Sequence, residues 1–321
     1  MRKLLVPAVF VALAIGVAAC GGDDNDSNAA GNAGSGGSSL SGTIRIDGSS
    51  TVAPLSEPAA ELFMQENPGV TVTVGTSGTG GGFEKFCAGE TDISDASREI
   101  KEEEAAACKS SGIAYEEVSV ANDALTVVVN PQNPVECMTV EQVAQVWGPK
   151  SKVSSWSDID GLEDAPDAEL DLYGPGTDSG TFDYFTDAIN GEEGAQRTDY
   201  NNVGEDDNST VTGVSGSEGG MGYFGYSFFV ENQDSLKALE IDGGDGCVAP
   251  TAENTQDGSY TPLGRQLFVY PSDQALQRPE VLAFIEFYIE NASAIAEQAG
   301  FIGLTDEQVT EAQEKVAGLA G

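Results

Sequence analysis

Four short segments of the sequence combine hydroxyl side chains with glycine or arginine where a predicted strand ends and a helix begins. The segments are Gly48-Ser49-Ser50-Thr51, Ser77-Gly78-Thr79-Gly80-Gly81-Gly82, Ala96-Ser97-Arg98 and Asp178-Ser179-Gly180-Thr181. The first turn of a helix has free backbone N–H groups and the positive end of the helix dipole, so it attracts anions. Glycine lets the backbone approach a ligand, and hydroxyls add donors. Several such segments in one cleft would bind a small oxyanion with few cations.

Serine and threonine are also the usual N-caps of helices, so one such segment alone indicates no more than capping. The repetition of hydroxyl with glycine is what favours an anion site. The glycine patterns are not those of nucleotide-binding loops. Phe83 stands where the third glycine of G-x-G-x-x-G would be needed, and no G-x-x-x-x-G-K-[ST] occurs.

Arg98 is conspicuous because cations are scarce in this chain. The sequence has 14 Lys and Arg against 53 Asp and Glu, a formal net charge of −39. A guanidinium can bind an oxyanion through two hydrogen bonds, although a structural ion pair with a carboxylate is the alternative. So acidic a chain would repel a phosphate backbone, so we predict no nucleic-acid partner, and its charge argues against a polybasic contact with anionic lipid.

The sequence contains no histidine. This excludes Ser-His-Asp and Cys-His catalysis and every histidine-ligated metal site. Three acidic clusters could bind calcium or supply a glycosidase pair, but none has the EF-hand spacing and a solvated face is the favoured interpretation. These clusters are Glu102-Glu103-Glu104, Glu163-Asp164 and Glu205-Asp206-Asp207. We predict no cofactor and no metal.

The elements that must position the four segments alternate along the chain. The predicted strands span residues 43–47, 70–75, 92–96, 118–130, 169–173, 222–229 and 266–270. The predicted helices span residues 52–67, 83–88, 99–109, 139–147, 182–189, 208–214, 281–298 and 306–319, and residues 238–262 are predicted to form an irregular surface loop. Strand–loop–helix repeats of this length predict an α/β fold with mixed, mostly parallel sheets and helices on both faces.

The order of these elements predicts two α/β lobes joined by at least two chain crossings. We place one crossing near 129–131 and a return within 262–270. Lobe 1 would comprise residues 42–128 plus about 266–321, and lobe 2 about 129–265. A ligand would bind between the lobes, at the carboxyl ends of the strands.

The N-terminus indicates export. Residues 1–20 read MRKLLVPAVFVALAIGVAAC, with two positive charges, a short apolar stretch and small residues before Cys20. This resembles a bacterial lipoprotein signal, so we expect residues 1–19 to be removed and Cys20 to carry lipid; an ordinary secretory signal is the alternative. Residues 20–41 are rich in Gly, Ser, Asn and Asp and are predicted to form a flexible linker. The protein would be extracytoplasmic and tethered to the cell membrane.

Four cysteines remain if Cys20 is lipidated. An even number in an oxidising compartment favours disulfides, and four cysteines allow three connectivities. Cys87 and Cys108 belong to one region, so we pair them, and Cys137 with Cys247 then follows. Free buried thiols are the alternative.

Four runs of residues carry a family resemblance over residues 42–321. They are Ile46–Pro54, Ser77–Gly82, Asp92–Arg98 and Tyr173–Phe182. They resemble the phosphate-binding lipoproteins that serve phosphate ABC importers. The resemblance implies a two-lobed type II periplasmic-binding fold, no catalysis, inorganic phosphate as ligand, the importer's membrane permease as partner, and a monomer.

The resemblance also assigns roles to individual residues. The implied phosphate contacts are Ser49, Ser50, Thr51, Ser77, Thr79, Ser97, Ser179, Gly180 and Thr181. In the best-known branch of the family, an arginine stands where this chain has Pro175, and an aspartate that accepts the phosphate proton stands where it has Ser97. Other branches have Ser-Arg there, so Arg98 is expected to supply the guanidinium. The candidate proton acceptors are Asp178, Asp95 and Asp47.

Three other functions stay open on the sequence alone. A receptor of the same fold could capture sulfate, molybdate or tungstate. A secreted hydrolase could use a pair of carboxylates, although the hydroxyl and glycine segments argue against it. The protein could also be an adhesion or sensor domain attached to the membrane by a lipid anchor.

Overall fold

The computed structural model describes residues 39–320. The predicted signal peptide, Cys20 and nearly all of the predicted linker lie outside the described residues. No helix within this part of the chain is long and apolar enough to cross a membrane.

A nine-stranded sheet forms the centre of the described chain. Its strands lie in the order β2-β1-β3-β12-β4-β8-β6-β7, with β9 paired to β4. A separate three-stranded sheet has the order β11-β10-β5. The strands are β1 (Gly42–Gly48), β2 (Val70–Gly75), β3 (Ile93–Ala96), β4 (Val118–Val129), β5 (Cys137–Thr139), β6 (Asp171–Gly174), β7 (Asn201–Asn202), β8 (Gly220–Gly225), β9 (Lys237–Ala238), β10 (Glu240–Asp242), β11 (Cys247–Val248) and β12 (Gly264–Pro271).

Strand direction changes across the main sheet. Strands β1, β2 and β3 are parallel to one another, as are β6, β7 and β8. Between these groups, β12 and β4 run antiparallel to each other and to their outer neighbours. Parallel pairing therefore forms the two ends of the sheet, where strand–helix–strand repeats are predicted, and the mixed α/β class is confirmed.

Helices cover both faces of the sheet. Along β12, Leu267 and Val269 pack into one hydrophobic cluster, whereas Phe268 and Tyr270 pack into another on the opposite face. The helices are α1 (Ala53–Glu66), α2 (Gly78–Cys87), α3 (Glu102–Ser110), α4 (Val140–Trp147), α5 (Gly180–Asn190), α6 (Asp207–Gly216), α7 (Tyr226–Asn232), α8 (Ala252–Gln256), α9 (Asp273–Leu276), α10 (Pro279–Gln298) and α11 (Asp306–Ala320).

Two large hydrophobic cores lie on the main sheet, and strand β4 contributes to both. The first core contains Ala121 of β4 and Leu267 of β12 with residues of α1 and α10. The second core contains Ala124 of β4 and Leu263, next to β12, with residues of α4 and α5. The chain thus passes between the cores along two adjacent strands. The lobe boundaries given above stay a prediction.

Three sequence-based element predictions are wrong in part. Residues 238–262 are not an irregular loop, because they hold β10, β11 and α8. The predicted strand 222–229 ends at Gly225 and continues as helix α7, and the glycine run after Ser77 is helical, since α2 begins at Gly78. The disulfide predictions are confirmed: Cys87 is bonded to Cys108 and Cys137 to Cys247. Thr139 caps α4, accepting a hydrogen bond from the Gln142 amide.

Candidate functional site

A cleft of about 960 Å³ brings the four predicted segments together. The predicted binding residues that line it are Ser49, Ser50, Thr51, Ser77, Thr79, Ser97, Arg98 and Gly180. We call the part formed by the β1 loop, the start of α2 and the β3 loop the first side of the cleft. The start of α5 forms the second side.

The loop after β1 is held tightly against β3. The Ser49 amide donates to the Asp95 carbonyl at 2.9 Å, and the Ser49 hydroxyl accepts from the Thr51 amide at 3.2 Å. Gly48 has φ +151°, and a Cβ there would lie 2.1 Å from the Asp95 carbonyl oxygen. Only glycine allows this approach. The loop therefore presents Ser50 and Thr51 to the cleft from a rigid support.

The start of α2 is anchored by Asp47 at the end of β1. The Asp47 carboxylate accepts from the Ser77 amide at 3.0 Å, from the Ser77 hydroxyl at 2.6 Å and from the Lys85 ammonium at 2.6 Å. Burial alone would raise the pKa of Asp47, but the hydrogen bonds from Lys85 and Ser77 hold it below its ordinary value. Ser77 is thereby fixed at the N-terminus of α2.

The β3 loop is joined to α2 through hydroxyl groups. The Thr79 and Ser97 side-chain oxygens lie 3.1 Å apart, and the Ser97 amide donates to the Thr79 hydroxyl at 3.3 Å. Two predicted donors therefore share one hydrogen-bond network. This geometry presents hydroxyls and amides from separate loops to one region of the cleft.

Arg98 lines the cleft but its charge is already paired. Its two terminal nitrogens donate to the two carboxylate oxygens of Glu104, Nη1 to Oε2 at 2.9 Å and Nη2 to Oε1 at 2.8 Å. Nη1 also donates to the Glu99 carbonyl at 3.0 Å. The ion pair considered as the alternative for Arg98 is present, and the anion-binding role of Arg98 stays a prediction.

The second side of the cleft is built on α5. Gly180, the first residue of α5, lies so near the β1 loop that a Cβ on it would be 3.2 Å from the Thr51 hydroxyl oxygen. Ser179 is buried at the N-cap position, yet its hydroxyl caps no backbone amide of the helix. Ser179 and Thr181 are adjacent to Gly180 but are not among the cleft-lining residues of the described chain.

The three candidate proton acceptors all lie outside the ring of residues that line the cleft within the described chain. Asp47 holds Ser77 and Lys85, and Asp178 is exposed at the surface. Asp95 is fully buried, and neither carboxylate oxygen has a hydrogen-bond partner among the described residues. Burial raises the pKa of Asp95 to about 8. None of these placements presents a carboxylate to the ligand, and the acceptor role stays a prediction.

The structure adds charged residues to the cleft that the sequence did not single out. The additional charged lining residues are Glu99, Lys101, Asp183, Asp187, Glu193 and Arg265. The Arg265 side chain is more enclosed than that of Arg98, at 16% against 31% exposed. A signal existed in the sequence, because Arg265 directly precedes the predicted strand 266–270 in a chain poor in cations. That position alone did not indicate a cleft.

One group of described residues has the composition of a metal site. Cys137, Glu240 and Cys247 place their ligand atoms within 4.8 Å of one another. Because the two cysteines are bonded to each other, their sulfurs are not the thiolates that a metal binds. The group does not fit a metal ion.

Comparison with known proteins agrees with this architecture. A family model described as a PBP superfamily domain matches residues 33–292. The chain belongs to this superfamily of solute-binding proteins. Its family resemblance and its fold class, both predicted from the sequence, are thereby confirmed.

Two of the three similar proteins reported next are named for phosphate binding. The protein SphX of Synechococcus elongatus is 45% identical over 275 residues, which are 85% of this chain and 80% of that protein. The phosphate-binding protein PstS of Staphylococcus saprophyticus is 38% identical over 317 residues, 98% of this chain and 93% of that protein. The crystal structure of a possible phosphate binding protein from Planctomyces limnophilus has a TM-score of 0.80 and 47% identity, covering 88% of this chain and 99% of that chain.

Proposed function

We propose that this protein captures inorganic phosphate in the cleft and delivers it to the membrane permease of an ABC importer, without catalysing a reaction. The observation that carries the proposal is the convergence of four hydroxyl and glycine segments on one cleft, in a chain whose PstS relative is a phosphate-binding protein. Helix N-termini and hydroxyls bind an oxyanion through directed hydrogen bonds. Such bonds provide attraction at the site even in a chain with net charge −39.

The donors on the two sides of the cleft support closure around the ligand. Ser50, Thr51 and Thr79 belong to the first side, and Gly180 with its neighbours Ser179 and Thr181 to the second. Motion of lobe 1 relative to lobe 2 would bring both sets onto phosphate, as in the hinge closure that the class of periplasmic binding proteins exemplifies. Small-angle scattering should show compaction on adding phosphate, and an unchanged profile would argue against closure.

Titration calorimetry of the mature protein tests the ligand. Phosphate should bind, and it should bind more tightly than sulfate, molybdate or tungstate. Tighter binding of one of those anions would overturn the phosphate assignment. Turnover of a phosphate ester would overturn the proposal that the protein is not an enzyme.

The mature protein would be a monomer held at the outer face of the cell membrane by lipid on Cys20. The sequence of residues 1–20 supports this tether. Substituting Cys20→Ser should release the protein from the membrane fraction of the native host, and mass spectrometry of the parent should find the lipid on Cys20. Recovery of the parent in the soluble fraction would contradict the tether.

A further inference from the structure

We infer that Arg265 is the guanidinium that binds the anion in this cleft, in the role that the sequence assigned to Arg98. The inference deepens the proposed function and rests on it. It depends on how the two arginines that line the cleft use their N–H groups.

The Arg265 guanidinium is bonded along one edge, and each of its two terminal nitrogens keeps one N–H without a partner among these contacts. Its Nε and Nη2 both donate to the same oxygen, Oδ2 of Asp123, at 3.1 and 3.0 Å. Its Nη1 donates to the Ser97 carbonyl at 3.2 Å. A guanidinium has five N–H bonds, so these three contacts leave one N–H on each terminal nitrogen. Two oxygens of a phosphate could accept from this pair.

In Arg98, the edge formed by the two terminal nitrogens is already occupied. Glu104 already binds its two terminal nitrogens with two oxygens, in the geometry that an oxyanion would adopt. An anion could bind these two nitrogens only by displacing the Glu104 carboxylate. The displaced carboxylate would then lie beside the negatively charged anion. The contacts therefore favour Arg265 over Arg98.

The plane of the Arg265 guanidinium is fixed before a ligand arrives. Its central carbon lies 3.5 Å from the centre of the Tyr184 ring, which belongs to α5. The Tyr184 hydroxyl in turn donates to the Pro262 carbonyl at 2.9 Å, three residues before Arg265. Stacking on an aromatic face and a buried carboxylate orient a guanidinium without consuming the donors on its far edge.

Arg265 also lies at the meeting point of both sides of the cleft. It contacts Ser97 on the first side and Tyr184 of α5 on the second. It is the cross-strand neighbour of Asp123, and this pair lies on β12 and β4 at the points where those strands pass between the two cores. An anion bound here would contact the elements that closure must bring together.

Substitution at the two arginines tests the inference, with Arg45→Gln as a matched control on the exposed side of β1. We expect Arg265→Gln to raise the Kd for phosphate about 100-fold, since two charge-assisted hydrogen bonds are lost. We expect Arg98→Gln to raise the Kd less than about fivefold, because in the parent Arg98 is paired with Glu104 and does not bind the anion. Arg45→Gln should bind as the parent does.

A conservative variant covers the case in which Arg265→Gln leaves Asp123 unpaired and does not fold. Arg265→Lys keeps the charge beside Asp123 but cannot offer N–H groups from two nitrogens, so we expect a roughly tenfold loss of affinity with a folded, ligand-free protein. Thermal unfolding without phosphate reports the folding of each variant.

The outcomes separate the inference from the proposed function. If the parent fails to bind phosphate, the proposed function fails. If the parent binds and a folded Arg265→Lys or Arg265→Gln protein binds equally well, the inference alone is overturned. A larger loss in Arg98→Gln than in Arg265→Gln overturns it too, and returns the role to Arg98.

Discussion

The two sides of the cleft present similar donors but are supported in different ways. On the first side, polar groups behind the loops are bonded to one another, as in the contacts of Asp47 with Ser77 and Lys85. On the second side, the Ser179 hydroxyl caps no amide, and Gly180 approaches the Thr51 hydroxyl. The difference indicates that a substitution of the polar groups behind the first side will mainly change stability. A substitution on the second side will mainly change ligand binding.

The largest expected effect belongs to Asp95, behind the first side. Its pKa is raised by burial from 3.8 to about 8, so the folded protein retains a proton that the unfolded chain releases. The stability that this proton provides is complete below the unfolded pKa and is lost as pH rises through the folded pKa. Asp95→Asn should remove this loss and flatten the stability profile between these values.

Urea unfolding of the parent and of Asp95→Asn across this pH range measures the effect. The free energy of unfolding of the parent should fall relative to that of the variant by several kcal/mol as the pH rises. Parallel profiles would show that Asp95 is ionised in the folded protein. Asp95 would then no longer count as evidence that groups behind the first side determine stability.

Ser179 gives the sharpest test on the second side. Its buried hydroxyl does not cap α5, so Ser179→Ala should leave stability nearly unchanged and weaken phosphate binding by about 1.5–3 kcal/mol, the cost of losing a donor to a charged acceptor. The matched variant is Thr139→Ala, whose hydroxyl does cap its helix. That variant should lose about 1 kcal/mol of stability and bind phosphate as before. Calorimetry and thermal unfolding measure the two effects, and unchanged binding in Ser179→Ala would contradict the expectation.

A methyl group added to each side sharpens the comparison. The Cβ of Gly82→Ala would lie 2.5 Å from Gly48 Cα and 3.0 Å from the Asp47 carbonyl oxygen, so α2 must move away from β1. We expect a loss of about 1–3 kcal/mol in the free energy of unfolding. The Cβ of Gly180→Ala meets only the Thr51 hydroxyl, at 3.2 Å, and should weaken binding with stability within about 0.5 kcal/mol. The reverse pattern would refute the distinction.

The smallest expected effect concerns Lys85. Its side chain is 40% exposed, so the ion pair with Asp47 is weakened by solvent. Lys85→Met should cost less than about 1 kcal/mol near neutral pH. Because the pKa of Asp47 is lowered in the fold, this contribution should disappear as acid protonates Asp47. Chemical unfolding at neutral and acidic pH measures both values, and a larger cost would mean that the pair is shielded from water.

Most of the first side could be predicted from the sequence because its signals are local. The strands at residues 43–47 and 70–75 alternate apolar and polar residues, and the observed strands β1 and β2 agree with them. The start of α2 was missed because glycine is a poor helix former. Glycine stands at position 82 of this helix because the close approach of Gly48 leaves no room for a side chain.

The region after residue 220 was harder to predict because its residue propensities, like those of the glycines in α2, disagree with the structure they adopt. Aromatic residues such as Phe228 and Phe229 favour strands, yet they lie on α7 and pack against a small cluster beside β8. The short strands β10 and β11 contain few residues, so their periodicity is too brief to distinguish them from a loop. Strand β10 pairs with β5, about a hundred residues earlier in the chain, and β5 is joined to β11 by the Cys137–Cys247 disulfide.

The sequence by itself determined the class of fold, the disulfide pairs and the hydroxyl and glycine segments that converge on the cleft. Those features follow from local composition, spacing and cysteine number. Only the tertiary structure decided how the charged groups are used. Asp123 and Arg265 are 142 positions apart and meet because they lie opposite each other where β4 and β12 pair, while Asp95 is fully buried on β3. Burial and the choice of ion-pair partner depend on such distant contacts, and these decide which guanidinium N–H groups in the cleft are already paired.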